Sequence, residues 1–260
     1  MARFYPLFSS SKGNSSFIGT DSAGILIDAG VSFKRLSKAL DDNGLSVNAV
    51  KGVFITHSHS DHVSGLKMLT KKTGIPVFGQ LETLEELLHN DMIAPCSEVY
   101  EMDGNACAAG MEISCFDTPH DTVRSCGYRI KTQDERICAV CTDLGYVTET
   151  VKENISGCNL VLLEANYDEQ MLKDGPYPSY LKSRIRSRKG HLSNDASAQQ
   201  AAELIKSGTT RIILGHLSQE NNTPLKADHT VSEGLSEFSR NKDYILNVAP
   251  VETNGLMAVF

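Results

Sequence analysis

The sequence predicts a mixed α/β protein, and two observations support this fold class. Short apolar segments that are typical of buried strands alternate with longer segments whose apolar residues recur at helical spacing. Several of the short segments also end in a carboxylate or an imidazole side chain. Rigid scaffolds often place reactive groups at strand ends, so this pattern predicts one site that is assembled from distant parts of the chain.

The composition is that of an ordinary globular protein. The chain has 260 residues, of which 40% are hydrophobic and 22% charged, and we expect a single domain over residues 1–260. No apolar run approaches the about 20 residues that a membrane helix needs, and the first residues lack the apolar region of a secretory signal. The net charge of −7 means that a polyanionic partner must be bound through a local basic patch.

The cysteines favour a reducing compartment. There are seven, scattered without the spacing of a disulfide framework, so we expect free thiols and a cytoplasmic protein. Cys138 and Cys141 form a Cys-x-x-Cys motif in a predicted strand. Positions i and i+3 of a strand face opposite sides, so we interpret both as core thiols.

Apolar periodicity and turn residues predict a succession of strands and helices along the chain. In the first half, the pattern predicts strands over 3–8, 16–20, 24–28, 53–56 and 76–79, and helices over 32–42, 63–73 and 81–88. In the second half, it predicts strands over 111–116, 126–131, 136–142, 159–164, 211–214, 244–248 and 255–260, and helices over 193–207 and 231–238. The turn-forming run from Ser9 to Ser15 is either a flexible surface loop or a small-residue turn that borders the site.

The segment from Val53 to His62 carries the strongest functional signal. On extended backbone, His57 and His59 point to the same side, so both can reach one metal ion. Asp61 and His62 follow where the chain turns toward a helix, and they can reach a second ion. Imidazole and carboxylate groups without a thiolate suit Zn, Mn, Fe or Ni. So dense a cluster is hard to explain as an unrelated polar loop.

Further polar residues lie just past other predicted strands. His120 follows a strand and a proline, and is well placed to be the third ligand of the first ion. Asp143 ends another strand and could bridge two ions. Asp28 is a candidate to hydrogen-bond to a metal-binding side chain without contacting the metal itself. Glu164 and His216 repeat the same position at the ends of two more apolar strands.

These residues in this order resemble the motifs of the metallo-β-lactamase-fold superfamily, and the resemblance covers essentially the whole chain. It implies a four-layer αββα sandwich, in which two mixed β-sheets pack face to face with helices outside. It also implies a two-metal site at one edge, with one ion on His57, His59 and His120. The second ion would take Asp61, His62 and His216, with Asp143 as the bridge between the two ions.

Two further segments resemble the nucleic-acid-processing branch of this superfamily. Leu163-Glu164-Ala-Asn and Gly190-His191-Leu-Ser are similar to the Glu and His motifs of ribonuclease Z, and are nearest to the bacterial YycJ or WalJ subgroup. The resemblance implies a 5′→3′ DNA exonuclease-like phosphodiesterase that uses a metal-bridging hydroxide. Asp61 and Asp143 would hold the metals, and His191, polarised by Glu164, would protonate the leaving oxygen.

A basic run precedes His191. Between residues 178 and 191 there are five cations and no acidic residue: Lys182, Arg184, Arg186, Arg188 and Lys189. The run either contacts the phosphate backbone of DNA or forms an ordinary solvated face. Tyr177 and Tyr180 flank it and could stack on bases or pack locally. The short segment between Asp143 and His191 leaves no room for the clamping domain of larger relatives, so how a duplex is held stays open.

Other functions remain as alternatives. A metal pair of this kind also hydrolyses thioesters and lactones, as in glyoxalase II-like relatives. The basic run and the Glu164/His191 pair argue against that reaction, because acyl substrates need neither. Redox chemistry would require an appended flavin domain, for which the chain offers no segment. A scaffold role is disfavoured by the unbroken ligand set.

Overall fold

Two seven-stranded sheets account for the strands of the computed structural model, which describes residues 2–260. In the first sheet the order is β14-β1-β2-β3-β4-β5-β6, and in the second it is β13-β12-β11-β10-β9-β8-β7. The strands are β1 (Arg3–Ser10), β2 (Gly13–Gly19), β3 (Gly24–Ile27), β4 (Val50–Phe54), β5 (Val77–Gly79), β6 (Val99–Glu101), β7 (Asn105–Ala108), β8 (Met111–Asp117), β9 (Cys126–Lys131), β10 (Ile137–Cys141), β11 (Leu160–Glu164), β12 (Arg211–Gly215), β13 (Ile245–Val248) and β14 (Ala258–Val259).

Helices connect the strands and cover the outer faces of the sheets. They are α1 (Phe33–Asp42), α2 (Ser60–Val63), α3 (Leu66–Thr73), α4 (Leu81–His89), α5 (Glu149–Ile155), α6 (Glu169–Asp174), α7 (Ser179–Ile185), α8 (Asn194–Lys206) and α9 (Pro224–Gly234), with a 3₁₀ turn at Val47–Ala49. Within residues 2–260, no helix combines the length and the apolar character that a membrane span needs.

The core has three apolar layers. The middle layer lies between the sheets and includes Phe54 and Tyr128, whose ring centroids are 5.7 Å apart. Successive residues of β10 alternate between layers: Cys138 faces the other sheet, and Cys141 packs with α5 and α8. Both thiols are buried and free, as the strand periodicity predicts. The αββα sandwich is therefore confirmed.

Parallel pairing aligns the strand ends on which the site is built. In the second sheet, β10, β11 and β12 run parallel, with Leu163 opposite both Cys141 and Leu214. In the first sheet, β3 and β4 run parallel, with Ile27 opposite Phe54. The residues that follow these strands must emerge along one edge of each sheet. The fold thus brings distant segments of the chain together at these strand ends.

Several predicted boundaries differ from the structure. The helix predicted over 231–238 instead begins at Pro224, where the side chain of Thr223 caps it by accepting from the N–H of Lys226. The helix predicted over 63–73 is divided at Gly65, whose N–H donates to the carbonyl of Ala29. The terminal strand, predicted over 255–260, is only Ala258–Val259. The short elements β6, β7, α5, α6 and α7 were not predicted.

Candidate metal centre and active site

Three strand ends adopt the same unusual backbone conformation. Asp28, Asp143 and His216 follow β3, β10 and β12 closely, and their φ angles are 61°, 61° and 55°. Non-glycine residues seldom occupy this left-handed region, although Asp and His do so more often than most. Such backbone strain concentrates at functional sites, where the surrounding structure enforces it. Each of these turns directs a polar side chain into the same edge of the sandwich.

The histidines of the 57–62 segment meet side chains from two other strand ends. His57, His59 and His120 form one group whose potential ligand atoms all lie within 4.8 Å of one another. Nε2 of His120 is 3.3 Å from Nδ1 of His59. This is the set that the sequence assigns to a first ion. Its three donors are nitrogen atoms of imidazoles, which suit a divalent transition metal.

A second group lies beside the first. Asp61, His62 and His216 also bring one potential ligand atom each within 4.8 Å of the others. Oδ2 of Asp61 is 3.4 Å from Nε2 of His216 and 3.5 Å from Nε2 of His62. These are the residues that the family resemblance assigns to a second ion.

Asp143 contacts members of both groups. Its Oδ2 is 3.3 Å from Nε2 of His62, and its Oδ1 is 3.5 Å from Nε2 of His120. Only 2% of this residue is exposed. A buried carboxylate between two clusters of imidazoles has the position that a bridging ligand requires.

Two of the potential ligand atoms lack a hydrogen-bond partner within the protein. Nε2 of His57 and Oδ2 of Asp143 are buried, yet neither forms a hydrogen bond to any described residue of the chain. Buried polar atoms rarely lack a partner, so two unpartnered donor atoms within a cluster of potential ligands fit a site for a cation. Burial also lowers the pKa of His57 well below its ordinary value, so its imidazole is neutral and able to bind a metal.

Further hydrogen bonds fix the ring orientations. Oδ2 of Asp28 lies 2.7 Å from Nδ1 of His62, which leaves Nε2 facing the cluster. Asp28 is itself held by the N–H and hydroxyl of Thr56, at 2.8 and 2.9 Å. Nδ1 of His120 lies 3.1 Å from the carbonyl oxygen of Gly190 and donates to it. Partners of this kind set the tautomer of a metal-binding histidine.

Glu164 connects the cluster to His191. Its Oε1 lies 2.9 Å from Nδ1 of His191 and 2.8 Å from Nδ1 of His216. Its Oε2 accepts from the N–H groups of Leu144 and Leu192, at 2.7 and 3.1 Å. The sequence associated Glu164 with His191 alone, and the contact with His216 adds a second role. Asp143, Glu164, His191 and His216 also form a compact donor group of their own.

The charges in this network are coupled. Burial alone would raise the pKa of Glu164, but the adjacent His191 and His216 lower it to about 2. Burial alone would lower the pKa of His216, but Asp143, Asp61 and Glu164 raise it to about 10. Glu164 is therefore a carboxylate throughout the working pH range, and it can stabilise a positive charge on a neighbouring imidazole.

The run from Ser9 to Ser15 borders the site, which answers the question that the sequence left open. It forms the ends of β1 and β2 and the tight turn between them. Oγ of Ser9 accepts from the N–H of His216 at 2.8 Å, and Nδ2 of Asn14 lies 3.2 Å from Oδ2 of Asp61. Sequence reasoning missed these two residues individually, because turn-forming serines and asparagines have no distinct signal of their own.

The basic run lies at the rim of the site, but most of its charges already have partners. Arg184 donates to both carboxylate oxygens of Asp121, at 2.5 and 3.0 Å, and Arg186 pairs with Glu169 at 3.1 Å. The guanidinium of Arg188 lies 3.9 Å from the ring centroid of Tyr146. Nζ of Lys182 donates to a backbone carbonyl. Lys189 is exposed and forms no ion pair within residues 2–260.

The tyrosines that flank the run differ. Tyr177 is partly buried against Tyr167, Leu172 and Ile185, so it packs within the protein. Tyr180 is 75% exposed on α7 and is free to contact another molecule.

The backbone at Gly30 packs closely against the backbone of Asp61, and this contact gives a testable prediction. A Cβ at Gly30 would lie 1.7 Å from the carbonyl oxygen of Asp61, so the segment carrying Asp61 and His62 must move in Gly30→Ala. We expect metal affinity to fall by about 10–100-fold, the usual cost of disturbing the support of a ligand. Competition with a chromophoric chelator measures this change.

Gly79→Ala is the matched control for this prediction. Its Cβ would meet the side chain of Leu84 at 3.3 Å and no backbone atom closer than 3.6 Å, so a shift of a few tenths of an ångström in that side chain suffices and the metal ligands need not move. Unchanged metal affinity in Gly30→Ala would contradict the tight coupling between the two backbone segments.

Comparison with known proteins identifies the family. The profile of the beta-lactamase superfamily domain matches residues 24–217. The chain belongs to the metallo-β-lactamase superfamily. An exodeoxyribonuclease YycJ of Bacillus anthracis is 34% identical over 236 residues, which cover 90% of this chain and 89% of that protein. An exodeoxyribonuclease WalJ of Streptococcus pneumoniae is 31% identical over 235 residues, covering 89% and 87%.

The solved structures of this superfamily agree on the architecture. The metallo-β-lactamase fold protein YhfI of Bacillus subtilis superposes with a TM-score of 0.75, covering 99% of this chain and 98% of that one. At 15% identity, this likeness shows the fold alone. The resemblance that the sequence motifs indicated is confirmed by the family profile and by the similarity to the YycJ and WalJ relatives.

Proposed function

We propose that this protein is a metal-dependent phosphodiesterase that acts on nucleic acid, as a 5′→3′ exodeoxyribonuclease. The observation that carries the proposal is the Glu164–His191 pair, joined at 2.9 Å beside the cluster of metal ligands. The names of the YycJ and WalJ relatives support DNA as the substrate. In this proposal, residues 1–260 form one hydrolase domain, and the free state of all seven cysteines agrees with a cytoplasmic location.

The proposed cofactor is a pair of divalent ions drawn from Zn, Mn, Fe and Ni. His57, His59 and His120 would hold one ion, and Asp61, His62 and His216 the other, with Asp143 in reach of both. When bound, such ions act as Lewis acids toward phosphate oxygens and make a water molecule nucleophilic near neutral pH. The orphaned Nε2 of His57 and Oδ2 of Asp143 support this ligand set.

The chain supplies the proton for the leaving group. Hydrolysis adds water across one P–O bond and yields a phosphomonoester and an alcohol, so the departing oxygen must gain a proton. In this proposal Oε1 of Glu164 contacts Nδ1 of His191 and fixes the orientation of the ring, and Nε2 on the other side of the ring donates the proton to that oxygen. Only 17% of the His191 side chain is exposed, so the donor is partly shielded from competing water. General acid catalysis of this kind contributes about 10²–10⁴-fold to the rate.

Substrate contacts are proposed for the rim. The five cations Lys182, Arg184, Arg186, Arg188 and Lys189 follow one another on α7 and the segment that leads to His191. Lys189 is exposed and adjoins Gly190, whose carbonyl contacts His120, so it is the member best placed for a phosphate. Arg184 and Arg186 would have to exchange their acidic partners for phosphates. Contacts of this kind make binding weaken steeply with salt.

A comparison of substrates tests the proposal. We expect the metal-loaded protein to hydrolyse an end-labelled DNA duplex and bis(p-nitrophenyl) phosphate, and to lose both activities with a chelator. An acyl thioester should be turned over at least about 100-fold less efficiently than the DNA duplex, because the departing thiolate gains nothing from the Glu164–His191 pair. Preferential turnover of the thioester would favour the glyoxalase II-like alternative and contradict the proposal.

A further inference from the structure

A cavity of about 420 Å³ borders His191. Its wall consists of the segment that follows Asp143, a tyrosine after β11 and the first turns of α8: Gly145, Tyr146, Val147, Tyr167, Ala196 and Gln199 are among the residues that form it. Of the residues that the structure describes, none of the seven proposed metal ligands lines this cavity. It is a separate space that shares the proposed proton donor with the metal centre.

The lining mixes polar and apolar groups, and its lysine and glutamate are both paired. Lys152 pairs with Glu149 at 2.7 Å, and Glu203 pairs with Lys206 at 2.9 Å, so both charged groups of the wall have partners among the described residues. The other lining residues include Gln199 and Gln200, which carry amides, and two tyrosines. A site for phosphate would offer unpaired cations. Amides and aromatic rings suit the edges and faces of a nucleobase.

The volume of the cavity and the contacts that hold its walls also fit a nucleobase. Pockets for small molecules generally have volumes of about 300–1,000 Å³. The ring of Tyr146 is held in place by the guanidinium of Arg188 at 3.9 Å. The start of α8 is fixed by Ser193, whose side chain accepts from the N–H of Ala196. The walls are therefore set before a ligand arrives, which lowers the entropic cost of binding.

We propose that this cavity binds the nucleoside that carries the departing oxygen. The inference rests on the proposed function, since His191 must lie next to the oxygen that it protonates. The group attached to that oxygen then extends from His191 into the adjoining space. The nucleoside is held by Gln199, Gln200 and the two tyrosines, while the phosphate stays at the metal centre.

A tryptophan at position 199 tests the cavity. Gln199 is exposed on α8, so Gln199→Trp fills the space without disturbing the core. Glu233→Trp, an exposed position on the neighbouring α9 that does not line the cavity, is the matched control. Two quantities are measured: kcat/KM for a DNA oligonucleotide relative to bis(p-nitrophenyl) phosphate, and the binding of deoxyadenosine by NMR shifts of the Ala196 methyl group.

The expected results are specific to the cavity. The ratio of the two kcat/KM values falls at least about tenfold in Gln199→Trp, as the loss of a base contact implies, and is unchanged in Glu233→Trp. Deoxyadenosine shifts the Ala196 signal in the wild type and not in Gln199→Trp. An unchanged ratio, or no shift in the wild type, overturns the inference. If the wild type hydrolyses neither phosphodiester, the proposed function fails, while the binding measurement still decides the cavity.

Discussion

Asp143→Asn is expected to abolish phosphodiester hydrolysis while leaving the fold intact. The amide keeps the shape of the side chain but removes the negative charge that lies 3.3 Å from His62 and 3.5 Å from His120. One of its two terminal groups becomes an NH₂ that points at the positions proposed for the ions. We expect kcat/KM for bis(p-nitrophenyl) phosphate to fall by at least about 10²–10³-fold, the usual cost of losing a major electrostatic contact in an active site.

Metal content should change together with activity. Asp143 belongs to neither set of three proposed ligands but contacts a member of each, so its loss should weaken the binding of both ions. Mass spectrometry of the dialysed protein would then find clearly less than the wild-type metal content. Circular dichroism and the melting temperature show whether the fold is kept, since a buried carboxylate surrounded by imidazoles also contributes to the metal-free protein.

Asp117→Asn provides the control for this result. Asp117 also ends a strand, β8, but its side chain is exposed and pairs with Arg124. The same chemical change there should leave both activity and metal content unaltered, because surface ion pairs contribute little. Asp143→Asn with full metal content and activity within tenfold of the wild type would refute the bridging role.

The site was predictable because its residues share one structural position. Asp28, His57, His120, Asp143 and His216 each follow a strand that apolar residues mark in the sequence. Parallel neighbours such as β10, β11 and β12 then bring those ends to a common edge. Local pattern and topology therefore point to the same place, which is why reading strand ends recovered the main cluster.

Other contacts that hold the proposed ligands in place were not predictable in the same way. Ser9 and Asn14 contact His216 and Asp61, which lie far away in the sequence, through a turn whose residues suit any surface loop. The second contact of Glu164, with His216, likewise depends on the register between β11 and β12. Sequence patterns specify which face a residue occupies, whereas the choice of partner across strands is made by tertiary packing.

The basic run shows that a local count of charges is limited in a related way. All the charged side chains between residues 178 and 191 are cations. Arg184 and Arg186 nevertheless pair with Asp121 and Glu169, which lie outside that stretch of sequence. Short helices such as α6 and α7 were missed because each spans fewer than eight residues, too few for a helical period to stand out. Charge and periodicity are both read within a window of sequence. An ion-pair partner can lie outside that window, and a helix of six or seven residues is too short for its period to be visible within it.

His191→Ala is expected to separate proton donation from metal chemistry. For a DNA oligonucleotide, whose departing alkoxide must be protonated, kcat should fall by about 10²–10⁴-fold. For bis(p-nitrophenyl) phosphate the fall should be much smaller, because p-nitrophenolate is stable without a proton. Glu164 keeps its backbone contacts with Leu144 and Leu192 in this variant, so the carboxylate remains in place beside His216.

The leaving-group dependence distinguishes a proton donor from a structural histidine. A histidine that only supports the fold would lower both activities together, and one that binds a metal would also lower the metal content. His229→Ala serves as the control, since His229 is largely exposed on α9 and pairs only with Glu233 among the described residues. Equal losses on both substrates in His191→Ala would contradict the assigned role. A selective loss on DNA would mean that Glu164 and His191 work on the departing oxygen and the metal ligands on the phosphate.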